Sequence, residues 1–276
     1  MAQTYLQLRL DLASALAVFL DPEEAHAESI RWFEDGLGRS RSWMAAHGRE
    51  PVPDAVRRQV GAWVRRRRTG EPWAYILGWT LFRERRFKVT PDTLIPRPET
   101  ELLVEAALDV GRRLGVDRCV DVGTGSGIIA ASLALETDWT VSASDVSEGA
   151  LAVARENAAA LGARVAFLVG SLLDPVPDPL GLVVANLPYV DPADRPTLQR
   201  ELAFEPESAL FAPDRGLQLS TDLLAQARTR QAPACLLEIG AGQGGEQCRR
   251  ALGHGWRKAM VHQDMAGHDR VLIALA

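Results

Sequence analysis

The sequence predicts an α/β protein, with a mostly parallel sheet flanked by helices and preceded by a small helical bundle and a β-hairpin connector. Three observations carry that expectation. Apolar residues recur at helical spacing through the first part of the chain. Beyond it, short β-branched runs alternate with helical segments, the pattern of parallel strands joined by crossover helices. The first of those runs, RCVDVG, turns at once through glycines into a helix. A length of 276 residues and a hydrophobic fraction of 47% allow a sizeable core, in one large or two modest domains.

Leu6, Leu10, Ala13, Leu16 and Leu20 follow helix spacing behind Thr4, which suits an N-cap. Asp21-Pro22-Glu23-Glu24 reads as a new helix start, with a capping acid, a proline in the first turn and acids at the positive dipole end. Ile30, Phe33 and Leu37 continue it until Gly36 and Gly38 weaken it. A further segment, PDAVRRQVGAWVRRRRTG, sets Val56, Val60 and Val64 on one face with arginines around the rest, and ends at Gly70. Residues 1–74 are therefore assigned to a helical bundle without a catalytic signature of its own. In WAYILGWTLFRERRFKVTPDTLIP, short apolar runs alternate with charged turns, which places a β-hairpin connector over 75–98. The main domain, 99–276, opens with a helix in PETELLVEAALDVGRRLG. Strands follow at RCVDVG, TVSASD, RVAFLVG, GLVVANLPY, ACLLEIG and VLIALA. Helices are expected from about Ile128, through Ala159 and near LSTDLLAQAR.

The bulk properties narrow the class. A net charge of -5 argues against a protein that coats nucleic acid. The N-terminal segment is amphipathic, interrupted by Arg9 and Asp11, so neither a signal peptide nor a membrane span is expected. Cys119 and Cys235 lie in apolar, strand-like runs, and none of the three cysteines sits in a CxxC, so they read as reduced core residues. The five histidines show no metal-ligand spacing, and no metal is expected. These bounds describe a soluble cytoplasmic protein.

In VDVGTGSGIIA a strand turns through Gly123, Thr124, Gly125, Ser126 and Gly127 into a helix. Glycines there let the backbone approach a ligand, and amide N–H groups at the helix start point toward it. A dinucleotide fingerprint is GxGxxG. Here the spacing is GxGxG, with an acid, Asp121, two residues before the first glycine. That form belongs to S-adenosylmethionine sites, and makes the sheet a Rossmann-like methyltransferase sheet of class I. The next strand ends at Asp145, where a carboxylate can accept both ribose hydroxyls. A second turn, LEIGAGQGG, has only about thirty residues after it, too few for the remaining parallel strands, and reads as a late strand of the same domain.

The apolar strand of GLVVANLPYV delivers Asn186 at its carboxyl end, the edge where open α/β sheets bind ligands. Asn186, the Leu187 carbonyl, a rigid Pro188 and the aromatic Tyr189 together suit a planar NH2 group. The Asn186 Oδ1 and the Leu187 carbonyl each accept one N–H, while Tyr189 covers the flat face. An amide or exocyclic amino nitrogen is a poor nucleophile, and fixing both hydrogens aims its lone pair at the methyl donor.

Several segments go further. EPWAYILG, FKVTPDTLIPRPETELLVE, DVGTGSG, ANLPYV, LAFEPESALFAPDRGL, LEIG and DMAGHDRVLIA resemble the PrmC/HemK family of N5-glutamine methyltransferases of peptide chain release factors. The match runs from about Glu71 onward, and IPRPETE is its most specific part. The N-terminal bundle is similar only in character, and in the family such a bundle helps to hold the release factor. The resemblance implies a target glutamine in a GGQ tripeptide and S-adenosylmethionine as cofactor, with S-adenosylhomocysteine as product. It implies that Gly123 to Gly127 and Asp145 bind the cofactor, with Asp121 and Asn186 counted among the cofactor-binding residues, and that Ser171 and Leu172 flank the adenine. It also implies that Asn186 to Tyr189 hold the glutamine amide and that Arg97, Pro98 and Glu99 line the approach. Release factors are then the expected partners, with no membrane and no stable nucleic-acid binding.

Two positions depart from the family pattern. Leu187 replaces the first proline of NPPY, which keeps the accepting carbonyl but loses some loop rigidity. Ser171 stands where relatives usually have an aspartate, retaining a hydrogen bond without the charge. NLPY also occurs in ribosomal RNA adenine dimethyltransferases. An adenine N6-methyltransferase therefore stays an alternative, supported by Arg57, Arg58, Arg65 to Arg68, Arg83, Arg85, Arg86 and Lys88, as does a non-catalytic methyltransferase-like binding protein. A solvated helix face plus hairpin is the plainer account of those basic residues.

Overall fold

The computed structural model describes residues 2–276, which form two compact units, one ending at Gly78 and one spanning Trp79–Ala276.

The first unit is helical. Helix α1, Tyr5–Leu16, starts with a reciprocal capping box between Thr4 and Gln7, and buries Leu8, Leu12 and Leu16. At α2, Pro22–Arg31, the Asp21 side chain accepts from the Glu23 and Glu24 N–H groups. The helical pattern that runs on to Leu37 does not continue as α-helix: residues Trp32–Gly36 widen into a π-turn. The wider turn drives Trp32 and Phe33 into the core, where Trp32 stacks on Trp73 at 4.5 Å. Gly36 is required there, because a Cβ would lie 2.6 Å from the Trp63 ring. Helix α3, Arg41–His47, is too short to leave a readable apolar stripe and buries no side chain fully.

Helix α4, Asp54–Arg68, buries Val60 and Trp63, together with Arg67. That arginine departs from the expected arginine-lined solvent face. Its Nε and Nη2 donate to the Glu28 carboxylate at 2.8 and 3.2 Å, and both side chains are buried. The expected extended character of WAYIL is also corrected. Trp73–Leu77 forms a short helix, α5, closed by Gly78 at φ 84°, and the hairpin begins at Trp79 rather than at residue 75. A five-residue apolar run carries no period that separates strand from helix, and the need to bury Tyr75 and Ile76 decides it.

In the second unit, β1 (Trp79–Phe82) and β2 (Arg85–Lys88) pair across a two-residue turn, Arg83-Glu84, both left-handed. Phe82 and Phe87 enter the main core. Arg83 and Arg85 both donate to Glu136, and Lys88 to Glu156, so these hairpin cations are neutralised within the unit.

Next come α6 (Thr100–Leu114), β3 (Arg118–Val122), α7 (Ile128–Glu136), β4 (Thr140–Asp145), α8 (Glu148–Leu161), β5 (Val165–Val169) and β6 (Leu182–Ala185). The chain ends with α9 (Gln218–Thr229), β7 (Ala234–Glu238), α10 (Gly244–Gly253), β8 (Lys258–Gln263) and β9 (Asp269–Leu275). Seven strands lie in the order β5-β4-β3-β6-β7-β9-β8. The first five are mutually parallel, and β9 pairs antiparallel with both β7 and β8. β8 lies outside the strands expected from sequence, because an edge strand with exposed ends carries little apolar signal. β6 and β7 are buried along their whole length, as central parallel strands require. The strand order reverses between β3 and β6, which opens a crevice at their carboxyl ends. Among the described residues, no helix is long and apolar enough to cross a membrane, and no group of side chains could hold a metal ion.

Candidate active site

The crevice is built first by the glycine turn after β3. Gly123, Gly125 and Gly127 have φ of 71°, 54° and 81°, a region in which side chains are strained. A Cβ at Gly123 would also stand 2.8 Å from the Leu187 Cδ2. Asp121 does not reach the crevice. It is fully buried, and its Oδ2 accepts from the Thr124 hydroxyl at 2.6 Å and the Ala130 N–H at 3.1 Å. The acid braces the turn from beneath, and burial pushes its carboxyl up to about 7.

At the end of β4, the Asp145 Oδ2 accepts from the Gly125 N–H and its Oδ1 from the Ser147 N–H, each at 2.9 Å. These bonds fix the carboxylate at the rim while each oxygen keeps a lone pair for a ligand. Leu172 is held at φ 47° with its carbonyl accepting from the Ser144 hydroxyl at 2.8 Å. Together with Gly123, Thr124, Gly125, Ser126, Asp145 and Ser171, Leu172 lines a cavity of about 1020 Å³, open mouth included. Gly127 lies just behind this lining, at the cap of α7.

Asn186 and Leu187, from the end of β6, and Arg97 also line this cavity, and the same three line a smaller recess of about 510 Å³. They therefore stand at the partition between the two spaces. Asn186 Nδ2 donates to the Thr100 Oγ1 at 3.2 Å. Pro188 faces the larger cavity and Tyr189 the smaller. The Tyr189 hydroxyl points to Glu238 Oε1 at 3.5 Å, and burial raises the phenol to about 12. Arg97 Nη2 donates to Glu205 Oε1 at 2.5 Å, while Glu205 Oε2 accepts the Ile95 N–H at 2.9 Å. Pro98 and Glu99 line neither space; Glu99 is the N-cap residue of α6.

Thr100, Glu238 and Glu205 escaped the sequence reading. Thr100 is fully buried at the start of α6, and Glu238 is buried at the end of β7. The only sequence signal was indirect: an acid ending an otherwise apolar strand, in LEIG, is costly unless it is used.

The larger cavity suits a nucleoside with a charged tail. It offers a fixed carboxylate at Asp145, apolar walls at Val146 and Leu172, and a glycine turn whose Gly125 has nothing within 4 Å of where a Cβ would stand. The smaller recess, with Asn186 and the Leu187 carbonyl at its partition, suits a planar group carrying two N–H donors.

Residues 12–78 match a family described as the PrmC N-terminal domain, and residues 119–203 match a methyltransferase domain. The release factor glutamine methyltransferase of Bordetella pertussis is 40% identical over 91% of this chain and 95% of its own. That of Neisseria gonorrhoeae is 42% identical, covering 85% and 87%, and that of Enterococcus faecalis 34% identical, covering 99% and 100%. Among solved structures, the hMettl16 catalytic domain in complex with an RNA hairpin matches with TM-score 0.59 at 12% identity, over 79% of this chain and 80% of that one. A Pyrococcus furiosus methyltransferase matches with TM-score 0.51 at 15% identity, over 79% and 98%. At such identities the structures report the shared fold.

Proposed function

The chain belongs to the release factor glutamine methyltransferase family, and we propose that it methylates the N5 amide of the glutamine in the GGQ tripeptide of peptide chain release factors, using S-adenosylmethionine and leaving S-adenosylhomocysteine. The relatives carry the choice of glutamine, and one observation of the site supports an acceptor that donates N–H groups. Asn186 turns its Nδ2 toward Thr100, which leaves Oδ1 as an acceptor at the partition between the two cavities.

Gly123 to Ser126, Asp145, Ser171 and Leu172 would hold S-adenosylmethionine, which would supply an electrophilic methyl group on a positively charged sulfur. The Asn186 Oδ1 and the Leu187 carbonyl take one N–H each of the target amide, which aligns the nitrogen and raises its electron density. Transfer of the methyl group would break its bond to sulfur, the electron pair staying on the sulfur, and the methylated nitrogen would release one hydrogen as a proton to solvent. Arg97, clamped by Glu205, shapes the recess through which the glutamine enters. Asp121 serves the site indirectly, by bracing the glycine turn.

The test is peptide mass mapping of a release factor incubated with this protein and S-adenosylmethionine. A gain of about 14 Da, one methylene equivalent, on the GGQ glutamine is the expected result. Methyl label appearing in RNA and not in the release factor would overturn the reading.

A further inference from the structure

We propose that Thr100 and Glu238 are positioning residues that fix which end of the Asn186 amide faces the substrate. The proposal rests on the glutamine-acceptor reading above and adds to it the reason that Oδ1, rather than Nδ2, is presented.

An asparagine amide is nearly symmetric in shape, so packing alone scarcely distinguishes its two orientations. Chemistry does. If the amide turned over, Asn186 would offer N–H groups to a target that is itself an N–H donor. A hydrogen-bond partner of fixed polarity on the far side prevents this. Thr100 is fully buried in the first turn of α6, and its Oγ1 receives the Asn186 Nδ2–H at 3.2 Å. A hydroxyl has a single hydrogen. Where that hydrogen goes elsewhere, Oγ1 can only accept from Asn186.

Glu238 supplies the elsewhere. It ends β7, which lies beside β6, and is 4% exposed. The Tyr189 hydroxyl stands 3.5 Å from its Oε1, and the Thr100 hydroxyl faces the same carboxyl group, whose Oε2 is an open acceptor. An ionised carboxylate only accepts, so it sets the direction of the relay: Thr100 donates to Glu238, Asn186 donates to Thr100, and Asn186 Oδ1 is left for the substrate. A merely packed side chain at this place would be apolar. Instead a carboxyl is kept with its Oε2 buried and unpartnered, at a cost in solvation.

Three charged or titratable groups face Glu238: Tyr189 from the loop after β6, Glu99 from the start of α6 and Arg270 from β9. Burial outweighs the hydroxyl hydrogen bonds and raises the Glu238 carboxyl to about 7. Once protonated, Glu238 gains a donor of its own and no longer forces the Thr100 hydrogen toward itself. The relay is therefore intact above this value and relaxed below it.

The experiment measures methyl transfer to a full-length release factor, across pH, for wild type, Thr100→Val, Thr100→Ser and Glu238→Gln. Thr100→Val, which keeps the shape and removes the hydroxyl, is expected to lower kcat about 30-fold while S-adenosylmethionine affinity stays within about twofold. Thr100→Ser, which restores the hydroxyl, recovers at least about a third of the activity. Glu238→Gln, whose amide carries both a donor and an acceptor, lowers kcat about tenfold and abolishes the rise of kcat through pH 7. Wild-type kcat in Thr100→Val, or a Thr100→Ser as impaired as Thr100→Val, overturns the relay. Should Thr100→Val fail to fold, the Glu238→Gln profile decides, and an unchanged profile overturns the proposal. An active wild type with indifferent variants rejects the relay alone, whereas a wild type inactive on the GGQ glutamine rejects the acceptor reading and the relay with it.

Discussion

At Asn186 and Leu187, neighbours in the chain do separable jobs, one through its side chain and one through its backbone. Asn186→Ala removes an acceptor for the target amide without touching the walls around Asp145 and Leu172. It is expected to lower kcat by at least about 100-fold with S-adenosylmethionine affinity nearly intact, as measured by single-turnover transfer and calorimetry. Unchanged activity would remove Asn186 from the mechanism. The Leu187 carbonyl survives any substitution, but its side chain is buried and packs against the space where a Gly123 Cβ would stand. Leu187→Ala therefore opens a gap between the acceptor loop and the cofactor turn. It should cost about 2 kcal/mol or more in stability and weaken cofactor binding in titration, more than it slows the chemical step. This explains how a leucine is accommodated where relatives have proline: packing over Gly123 replaces part of the lost rigidity. Asn186 was legible because a strand end, a proline and an aromatic residue stand together in the sequence. Thr100 and Glu238 were not, since 86 residues separate Thr100 from Asn186, and only the packing of α6 on the adjacent strands β6 and β7 brings their elements together.

Among the elements, the alternation of strands and helices from residue 118 onward was readable, because buried parallel strands are continuous apolar runs with glycine or acid at their ends. Where sequence and structure part, the local signal is intrinsically weak: WAYIL is too short to show a period, and β8 is an edge strand. The ion pair across the two segments that flank the smaller recess was equally invisible. Glu205 is buried, and it holds both the Arg97 guanidinium and the Ile95 N–H, tying 95–97 to 205. Glu205→Ala leaves that N–H without its partner and frees Arg97, which is partly exposed. The expected cost is about 1–3 kcal/mol of stability by denaturant titration, with a higher KM for the release factor and unchanged S-adenosylmethionine affinity. A variant with wild-type KM would show that the clamp serves folding alone. In the helical unit, Glu28→Ala removes the carboxylate that the buried Arg67 pairs with, and a loss of about 3 kcal/mol or more is expected there.

For the whole molecule, the two carboxyls buried beneath the site dominate how stability responds to mild changes of pH. Asp121 and Glu238 each stand at about 7 in the folded chain, against ordinary values of 3.8 and 4.5. Between those values the folded protein binds more protons than the unfolded chain, so stability falls as pH rises. Their contribution is fully present below about 4 and is lost as pH passes through about 7. The carboxylates held low by arginines, such as Glu136, Glu246 and Asp264, work in the opposite sense, but only in the acid range below their unfolded values. In the window from about pH 5.5 to about 8, the buried pair therefore decides the sign, and Tm should fall across it. The loss across this window is at most a few kcal/mol, since each carboxyl contributes about 1.4 kcal/mol per pH unit and only up to about pH 7. Asp121→Asn removes one of the two charges while its side-chain oxygen can still accept from Thr124 or Ala130, so its Tm should change less across the same window. Thermal melts of the cofactor-free protein at the two ends of the window check this. A wild-type Tm that is level or rising, with the variant parallel to it, would mean that the glycine turn is braced by an aspartate ionised throughout.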